Sequence, residues 1–191
     1  MTLVPVLALS KWAHHSWLAD GERSLSERAQ AVANARLLAL IPDLLSGRAT
    51  PSLPRFAALP RPACAKVMRV TAALAYAPTL RKLVSASEHK IFAARIAPHV
   101  LRAVQREPRG GRDDANVGAV LNVLDRADMT AAGMQLTLHA LGDPTLRVLL
   151  KLRLPRAVAQ RAARLGVCDM NSAAAMNLLD AAYMLAGGNA C

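Results

Sequence analysis

The chain has 191 residues, enough for one domain or for one domain with a loosely attached arm. Hydrophobic residues make up 53% of it and aromatic residues only 3%, so Leu, Ala, Val and Met must fill the core. Because these are mostly good helix formers, the composition predicts an all-α protein. No stretch offers the ~20 apolar residues that a membrane-spanning helix needs. The 24 basic residues exceed the 13 acidic ones, and the net charge of +11 is compatible with an anionic partner.

The N-terminal third predicts one helix followed by a break. Ser24 and Glu27 match the Ser-x-x-Glu pattern of a capping box, so a helix should start there and end or kink at Pro42. Residues 46–62 contain four prolines and one glycine, and because a residue before proline is kept out of the α region, they predict an extended linker or a surface loop. This pattern predicts three parts: an N-terminal arm with one helix (1–50), a Pro-rich linker (51–62) and a main helical domain (63–191).

The main domain is predicted to be a series of helices separated by proline or glycine. One helix should run from Pro62 to about Ala77, a second should start at Pro78, and a longer one over 88–106 should bend at Pro98. The following segments predict further helices: 117–124, Asp128 to Gly142 with Asp128 as N-cap, Pro144 to Arg153 with Asp143 as N-cap, 156–165, and Ser172 to Gly187 with Ser172 as N-cap.

Residues 68–84 and 134–150 resemble each other without gaps. The matches include Met68 with Met134, Thr71 with Thr137 and Pro78 with Pro144. A duplicated helical hairpin explains this similarity, and so does coincidence in a chain rich in alanine and leucine.

Residues capable of catalysis or metal binding are present, but they form no recognisable motif. His14 and His15 are adjacent, yet zinc needs three or four convergent donors and no third ligand lies at a workable spacing. Cys64 and His139 would act together only if the fold joined them. Each aspartate that might pair for acid–base chemistry, namely Asp113, Asp114, Asp125 and Asp128, lies at a predicted helix end, where capping is its ordinary role. The sequence therefore predicts no enzyme, no metal site and no cofactor.

The segment from Arg147 to Arg164 contains six basic residues and no acidic one. Apolar residues cover more than half of the helical wheel of 144–153, so this helix should be mostly buried with Arg147 and Lys151 as a narrow polar strip. Arg153 lies in its last turn, where it can reach the free carbonyls of its own helix end.

In the following helix, Arg156, Gln160, Arg161 and Arg164 share one face. We predict a protein-binding strip from these two helices, formed by Arg147, Lys151, Arg156 and Arg164. The alternative interpretation is a solvated basic face.

The same region resembles a known family. Gly133-x-x-x-x-Leu138, Ala140-Leu141, Leu146-Arg147 and the run from Leu150 to Pro155 are similar to the C-terminal signature of the type III secretion sorting-platform accessory K subunit (SctK/YscK-like family). Upstream, Phe56-Ala-Ala-Leu59-Pro60 and the helices that follow resemble the middle region of that family. The likeness covers about residues 53–165, and Leu-Arg-Leu-Pro at 152–155 is its most distinctive element.

The resemblance implies a cytoplasmic, mostly helical, non-enzymatic adaptor at the cytosolic face of the inner membrane. Such an adaptor links the cytoplasmic domain of the inner-membrane ring protein to the pod protein of the sorting platform. It implies protein partners, no specific nucleic acid, no cofactor, and membrane association only through partners. The alternative is a basic helical nucleic-acid-binding protein, which the charge favours but the few aromatic residues and the lack of a helix-turn-helix pattern do not.

Overall fold

The computed structural model describes residues 9–18, 26–42, 53–111, 125–165 and 170–187. These residues are 77% helical and include no strand, which confirms the all-α prediction. No helix in these ranges is long and apolar enough to cross a membrane. In chain order the α-helices are α1 (Leu9–Trp12), α2 (Glu27–Leu38), α3 (Arg55–Ala58), α4 (Arg61–Ala75), α5 (Ala77–Arg81), α6 (Ala86–Ile96), α7 (Pro98–Arg106), α8 (Arg126–Ala140), α9 (Pro144–Arg153), α10 (Arg156–Arg164) and α11 (Ser172–Leu185), with a 3₁₀ turn at His15–Trp17.

The centre of the fold is the crossing of α4 and α8. Helix α11 packs against both of them, α10 packs against α8, and α7 packs against α4, α5 and α6. At the crossing, Gly133 lies so close to the main chain of Met68 that any side chain at this position would overlap it. One turn later, the hydroxyl of Thr137 donates to the Gly133 carbonyl at 2.7 Å and lies 3.2 Å from Sδ of Met68. The missing Cβ therefore sets the distance between the two central helices.

The two similar segments coincide with α4–α5 and α8–α9. Thr71 and Thr137, which the alignment pairs, are both buried, and each donates its hydroxyl to the carbonyl four residues earlier. Pro78 and Pro144 each lie in the first turn of the following helix. The copies then differ in length, because α5 ends at Arg81 while α9 continues for ten residues. This correspondence supports the duplicated-hairpin interpretation.

Three helices have a different cap from the one expected. We predicted Ser24 for α2, Asp128 for α8 and Ser172 for α11, whereas the structure has Ser26, Asp125 and Asn171. Ser24 lies outside the described residues. Asp128 instead occupies the third helical position and completes a reciprocal capping box with Asp125, their bonds being 2.7 and 3.2 Å long. The observed caps Ser26, Asp125 and Asn171 all have extended backbone, and each side chain accepts from a main-chain N–H of the first turn.

The bent helix predicted over 88–106 is wrong, because the chain forms two separate helices, α6 and α7. Ala97 lies between them with φ at 82°, a value that residues with a Cβ rarely adopt, and Pro98 starts α7. A proline keeps the residue before it out of the α region, so the helix stops here instead of bending.

The described part of the predicted linker belongs to the packed structure. Leu53, Phe56 and Ala57 are buried, and α3 lies within this stretch. The extended linker predicted over 51–62 is therefore wrong from residue 53 onward, because these apolar side chains join the core. Two α-helices, rather than one, lie in the described part of 1–50. The helix predicted over 117–124 lies outside the described residues.

We predict that Gly133→Ala lowers the free energy of unfolding by about 1 to 3 kcal/mol, because the new methyl group forces α4 and α8 apart. Gly142→Ala is the matched control, since nothing lies within 4 Å of a Cβ added there. That change should stabilise the protein slightly, by about 0.5 kcal/mol, because it reduces the conformational freedom of the unfolded chain. Denaturant melts compare the two, and equal midpoints would contradict the close crossing.

For α9 we predict that Leu149→Ala costs about 2 to 5 kcal/mol by opening a cavity, because this side chain is 2% exposed. Asp143→Ala should cost about 1 kcal/mol, because Oδ1 of Asp143 accepts from the main-chain N–H groups of Thr145 and Leu146 at 2.7 and 3.3 Å. Thermal or denaturant melts measure both. A neutral Leu149→Ala variant would show that α9 is not packed as described.

Candidate interaction surface

The candidate surface is built by α9 and α10, which follow each other directly in the chain. Helix α9 starts with the predicted Asp143 cap and Pro144, and its buried residues are Thr145, Leu149, Leu150 and Leu152. This confirms the expected buried helix. In α10 the buried residues are Val158, Ala159 and Ala162, so the opposite face of the helix is left to solvent.

The four predicted interface residues fall into two groups. Arg156 and Arg164 are exposed on α10, whereas Arg147 and Lys151 on α9 are half-buried. Nε of Arg147 donates to the carbonyl of Leu141 at 2.6 Å, so this guanidinium already has a partner within the chain. The side chains of Lys151 and Arg164 have no hydrogen bond or ion pair with another described residue. The docking role of these four residues stays a prediction.

Arg161, on the same exposed face of α10, forms ion pairs that the sequence does not reveal. Its Nη1 lies 2.6 Å from Asp128 and 3.6 Å from Asp125, the two residues of the α8 capping box. Main-chain hydrogen bonds from Asp128 and Ala127, with Arg161 close by, keep the pKa of Asp125 below its ordinary value. The sequence segment 147–164 does not contain these two acids, because Asp125 and Asp128 lie at the start of α8. The exposed cations of α10 without an acidic partner are therefore Arg156 and Arg164, among the residues with described positions.

Residues 9–18, which we call the strap, lie along the C-terminal end of α9. The chain has only two tryptophans, and both are in the strap. A helix end leaves carbonyls without partners in the same helix, and the strap donates to several of them. The bonds run from Nε1 of Trp12 to the carbonyl of Leu149 (2.8 Å), from the main-chain N–H of His14 to that of Leu152 (2.7 Å) and from Nε1 of Trp17 to that of Leu154 (2.8 Å).

Two arginines, one on α4 and one on α9, also contact the strap. Arg61 donates to three successive carbonyls at the end of α1, those of Lys11, Trp12 and Ala13, at 2.9, 3.0 and 2.5 Å. The guanidinium of Arg153 lies 4.3 Å from the ring centroid of Trp12, a cation–π contact. It also donates to the carbonyl of Leu59 at 2.6 Å, so the expectation that Arg153 reaches its own helix end is wrong.

These contacts belong to a pattern that extends over the whole fold. Basic side chains donate to carbonyls at the C-terminal ends of helices other than their own, where a cation also interacts favourably with the helix dipole. The pairs are Arg61 with α1, Arg153 with α3, Arg126 with α6, Arg81 with α7, Arg147 with α8 and Lys66 with α11. Arg147 and Leu141 are six residues apart, but the other partners are distant in sequence, up to 120 residues apart for Lys66 and Ala186, so no local motif predicts them.

The groups considered for catalysis are not assembled into a reactive site. Cys64 is fully buried, and burial raises the pKa of its thiol to about 11, so almost no thiolate forms at neutral pH. No hydrogen bond connects Cys64 with His139, and no cluster of three metal-ligating side chains occurs, within the described ranges. Asp113 and Asp114 lie outside those ranges. A cavity of about 230 Å³ near the start of α11 has Arg109 and Asn177 as its polar lining, without a nucleophile or a base.

The chain was compared with protein-family models, with curated proteins and with solved structures, and none of them matches it.

We predict that Arg61→Met destabilises the protein by about 1.5 kcal/mol, because a charged donor is lost from three carbonyls while the apolar part of the side chain remains. The tryptophans of the strap should also become more accessible to a quencher. Arg55→Met is the matched control, since Arg55 is exposed and bonds to no described side chain or carbonyl; its effect should stay within about 0.5 kcal/mol. Denaturant melts and acrylamide quenching measure both effects, and similar results for the two variants would contradict this role of Arg61.

Proposed function

We propose that the chain is a non-enzymatic adaptor that docks an acidic protein surface through the exposed face of α10. The observation that carries the proposal is the availability of Arg156 and Arg164 there, while the apolar face of the same helix is buried. Other basic side chains, such as Arg147 and Arg161, are already bonded to carbonyls or carboxylates. Charged groups at the rim of an interface mainly steer association, and this is the role we assign to the two arginines.

The resemblance to the sorting-platform K subunits gives this adaptor a specific place. We propose that it links the cytoplasmic domain of an inner-membrane ring protein to the pod protein, at the cytosolic face of the inner membrane. Its membrane association would then come only through those partners. A binding role is also supported by the state of the reactive groups, because Cys64 is buried with a raised thiol pKa and Asp125 serves as a helix cap.

Nucleic-acid binding is the second candidate, and one observation favours it. His99, Arg102 and Arg106 recur at helical spacing and are all exposed on α7, where they form a second basic face. Phosphate contacts from such a face would give binding that is independent of sequence and falls steeply with salt.

The decisive experiment compares two double charge reversals with the same change in net charge. We predict that Arg156→Glu with Arg164→Glu weakens capture by the purified ring-protein domain or the pod protein about tenfold, the effect of ~1.4 kcal/mol of lost attraction. Arg102→Glu with Arg106→Glu on α7 should leave capture nearly unchanged. Both variants should melt close to the unaltered protein, since all four side chains are exposed.

The outcomes separate the candidates. Equal weakening of partner capture by both variants would indicate general electrostatic attraction. No weakening by either variant would show that the strip is a solvated face. Both results would contradict the α10 proposal. Titration with labelled nucleic acid at several salt concentrations covers the second candidate. Binding that resists salt and depends on sequence would overturn the adaptor proposal.

A further inference from the structure

We propose that protonation of His14 releases the strap from α9, so that acidification removes the tryptophan rings that lie against the guanidinium groups of Arg153 and Arg156. The strap is then a pH-sensitive element that controls part of the basic surface.

The hydrogen bonds around His14 require its Nδ1 to be unprotonated. Nδ1 accepts from the main-chain N–H of Ser16 at 3.2 Å, and a main-chain N–H can only donate. The hydroxyl oxygen of Ser16 lies 2.9 Å from the same Nδ1 and accepts from the main-chain N–H of Arg156 at 2.8 Å. The Ser16 hydroxyl therefore donates to His14, and a chain of hydrogen bonds connects the imidazole to the first residue of α10.

Protonation reverses this arrangement. An imidazolium has two N–H donors and no acceptor, so its Nδ1–H would point at the N–H of Ser16. The side-chain cap of the 3₁₀ turn would be lost. The Ser16 hydroxyl could no longer donate to Nδ1 and would have to rotate, so that its oxygen accepts from Nδ1–H as well as from the main-chain N–H of Arg156. The turn ends at Trp17, whose indole donates to the carbonyl of Leu154, so the disturbance reaches the main attachment of the strap.

The surroundings of His14 contain cations and no acidic partner among the described residues. The rings of His14 and His15 are 4.0 Å apart, and Arg61 is close enough to repel a charge on His14. The charged side chains that contact the strap are Arg61 on α4, Arg153 on α9 and Arg156 on α10. Helix α2, which packs against α1, carries Glu27, Arg28 and Arg36, and none of these has a described contact with His14. A positive charge on His14 would therefore be opposed by His15 and Arg61.

Burial, His15 and Arg61 lower the pKa of His14 in the docked strap. The docked state thus favours the neutral imidazole. Its stabilisation is complete above the ordinary imidazole pKa of ~6.5 and decreases as the pH falls below that value toward the lowered pKa.

Release of the strap has a consequence for docking, and only this consequence rests on the proposed function. The guanidinium of Arg156 lies 5.8 Å from the ring of Trp17, and its main-chain N–H is held by Ser16. Without the strap, Arg156 at the end of the basic strip would lose the Trp17 ring that covers one side of its guanidinium, so an acidic partner could approach it from that side as well. Arg153 would lose its contact with Trp12 but keep its bond to the carbonyl of Leu59.

Tryptophan emission tests the switch directly, because both tryptophans of the chain lie in the strap. The full chain is titrated from about pH 8 to about pH 5, across the ordinary imidazole pKa of ~6.5. We expect a red shift of the emission and stronger acrylamide quenching at low pH, with unchanged far-UV circular dichroism. An emission that does not respond to pH would overturn the proposal.

Two variants identify the titrating group. In His14→Asn, the side-chain oxygen can still accept from the N–H of Ser16 but cannot titrate, so the strap should stay docked throughout the range. His15→Asn is the matched control and should keep the transition. A transition in His14→Asn like that of the unaltered protein, or its loss in His15→Asn, would overturn the assignment.

A measurement on the unaltered protein keeps the test independent of how the variants fold. The imidazole signal of His14, followed by NMR, should titrate with the same midpoint as the tryptophan emission, and different midpoints would overturn the proposal. Partner capture at neutral pH by the α10 reversal variant tests the docking role separately. A failure there would remove the consequence for docking and leave the switch intact.

Discussion

Every α-helix ends with carbonyl groups that its own residues cannot satisfy, and in a protein made of short helices this constraint is met many times. Basic side chains from other helices supply the donors at the ends of α1, α3, α6, α7, α8 and α11. Each such bond caps one helix and connects it to a different helix, and all but the bond of Arg147 join distant parts of the chain, as Lys66 does when it reaches the end of α11. The caps are therefore tertiary contacts as well.

Because many cations bond to helix ends of the chain itself, the net charge alone is a weaker indication of an anionic partner. A chain with +11 suggests a large anionic partner, yet part of the basic excess is bonded to helix ends of the chain itself. Those side chains keep their charge and contribute to the field of the protein, but their donors are directed at carbonyls. Arg147 bonds to Leu141 and Arg161 to Asp128, although both lie in the acid-free segment that first suggested an interface. The surface proposed here depends on which guanidinium groups point outward, and the number of basic residues does not decide that.

The sequence predicted features whose cause is local and missed those that depend on distant neighbours. Asp143 with Pro144, and the apolar face of α9, follow from residues within two turns, so they were found. The break between α6 and α7 at Ala97 was missed because a proline inside a helical pattern is compatible with either a bend or a break of the helix. The contact of Gly133 with Met68 needs two helices to be placed first. Among the predicted interface residues, the exposure of Arg156 and Arg164 followed from the wheel of α10, whereas the partner of Arg147 did not.

The strap bonds to main-chain groups that the Leu-Arg-Leu-Pro sequence at the end of α9 leaves without helical partners. Pro155 has no N–H, so the helical ladder stops there. In a continuing helix the N–H of Arg156 would donate to the carbonyl of Leu152. Here both groups bond to the strap instead: the Leu152 carbonyl accepts from the N–H of His14, and the N–H of Arg156 donates to the hydroxyl of Ser16. The strap thus pairs the acceptor and the donor that the proline separates. It follows that any change that releases the strap exposes two unpaired main-chain groups at the junction of α9 and α10, where the proposed surface begins.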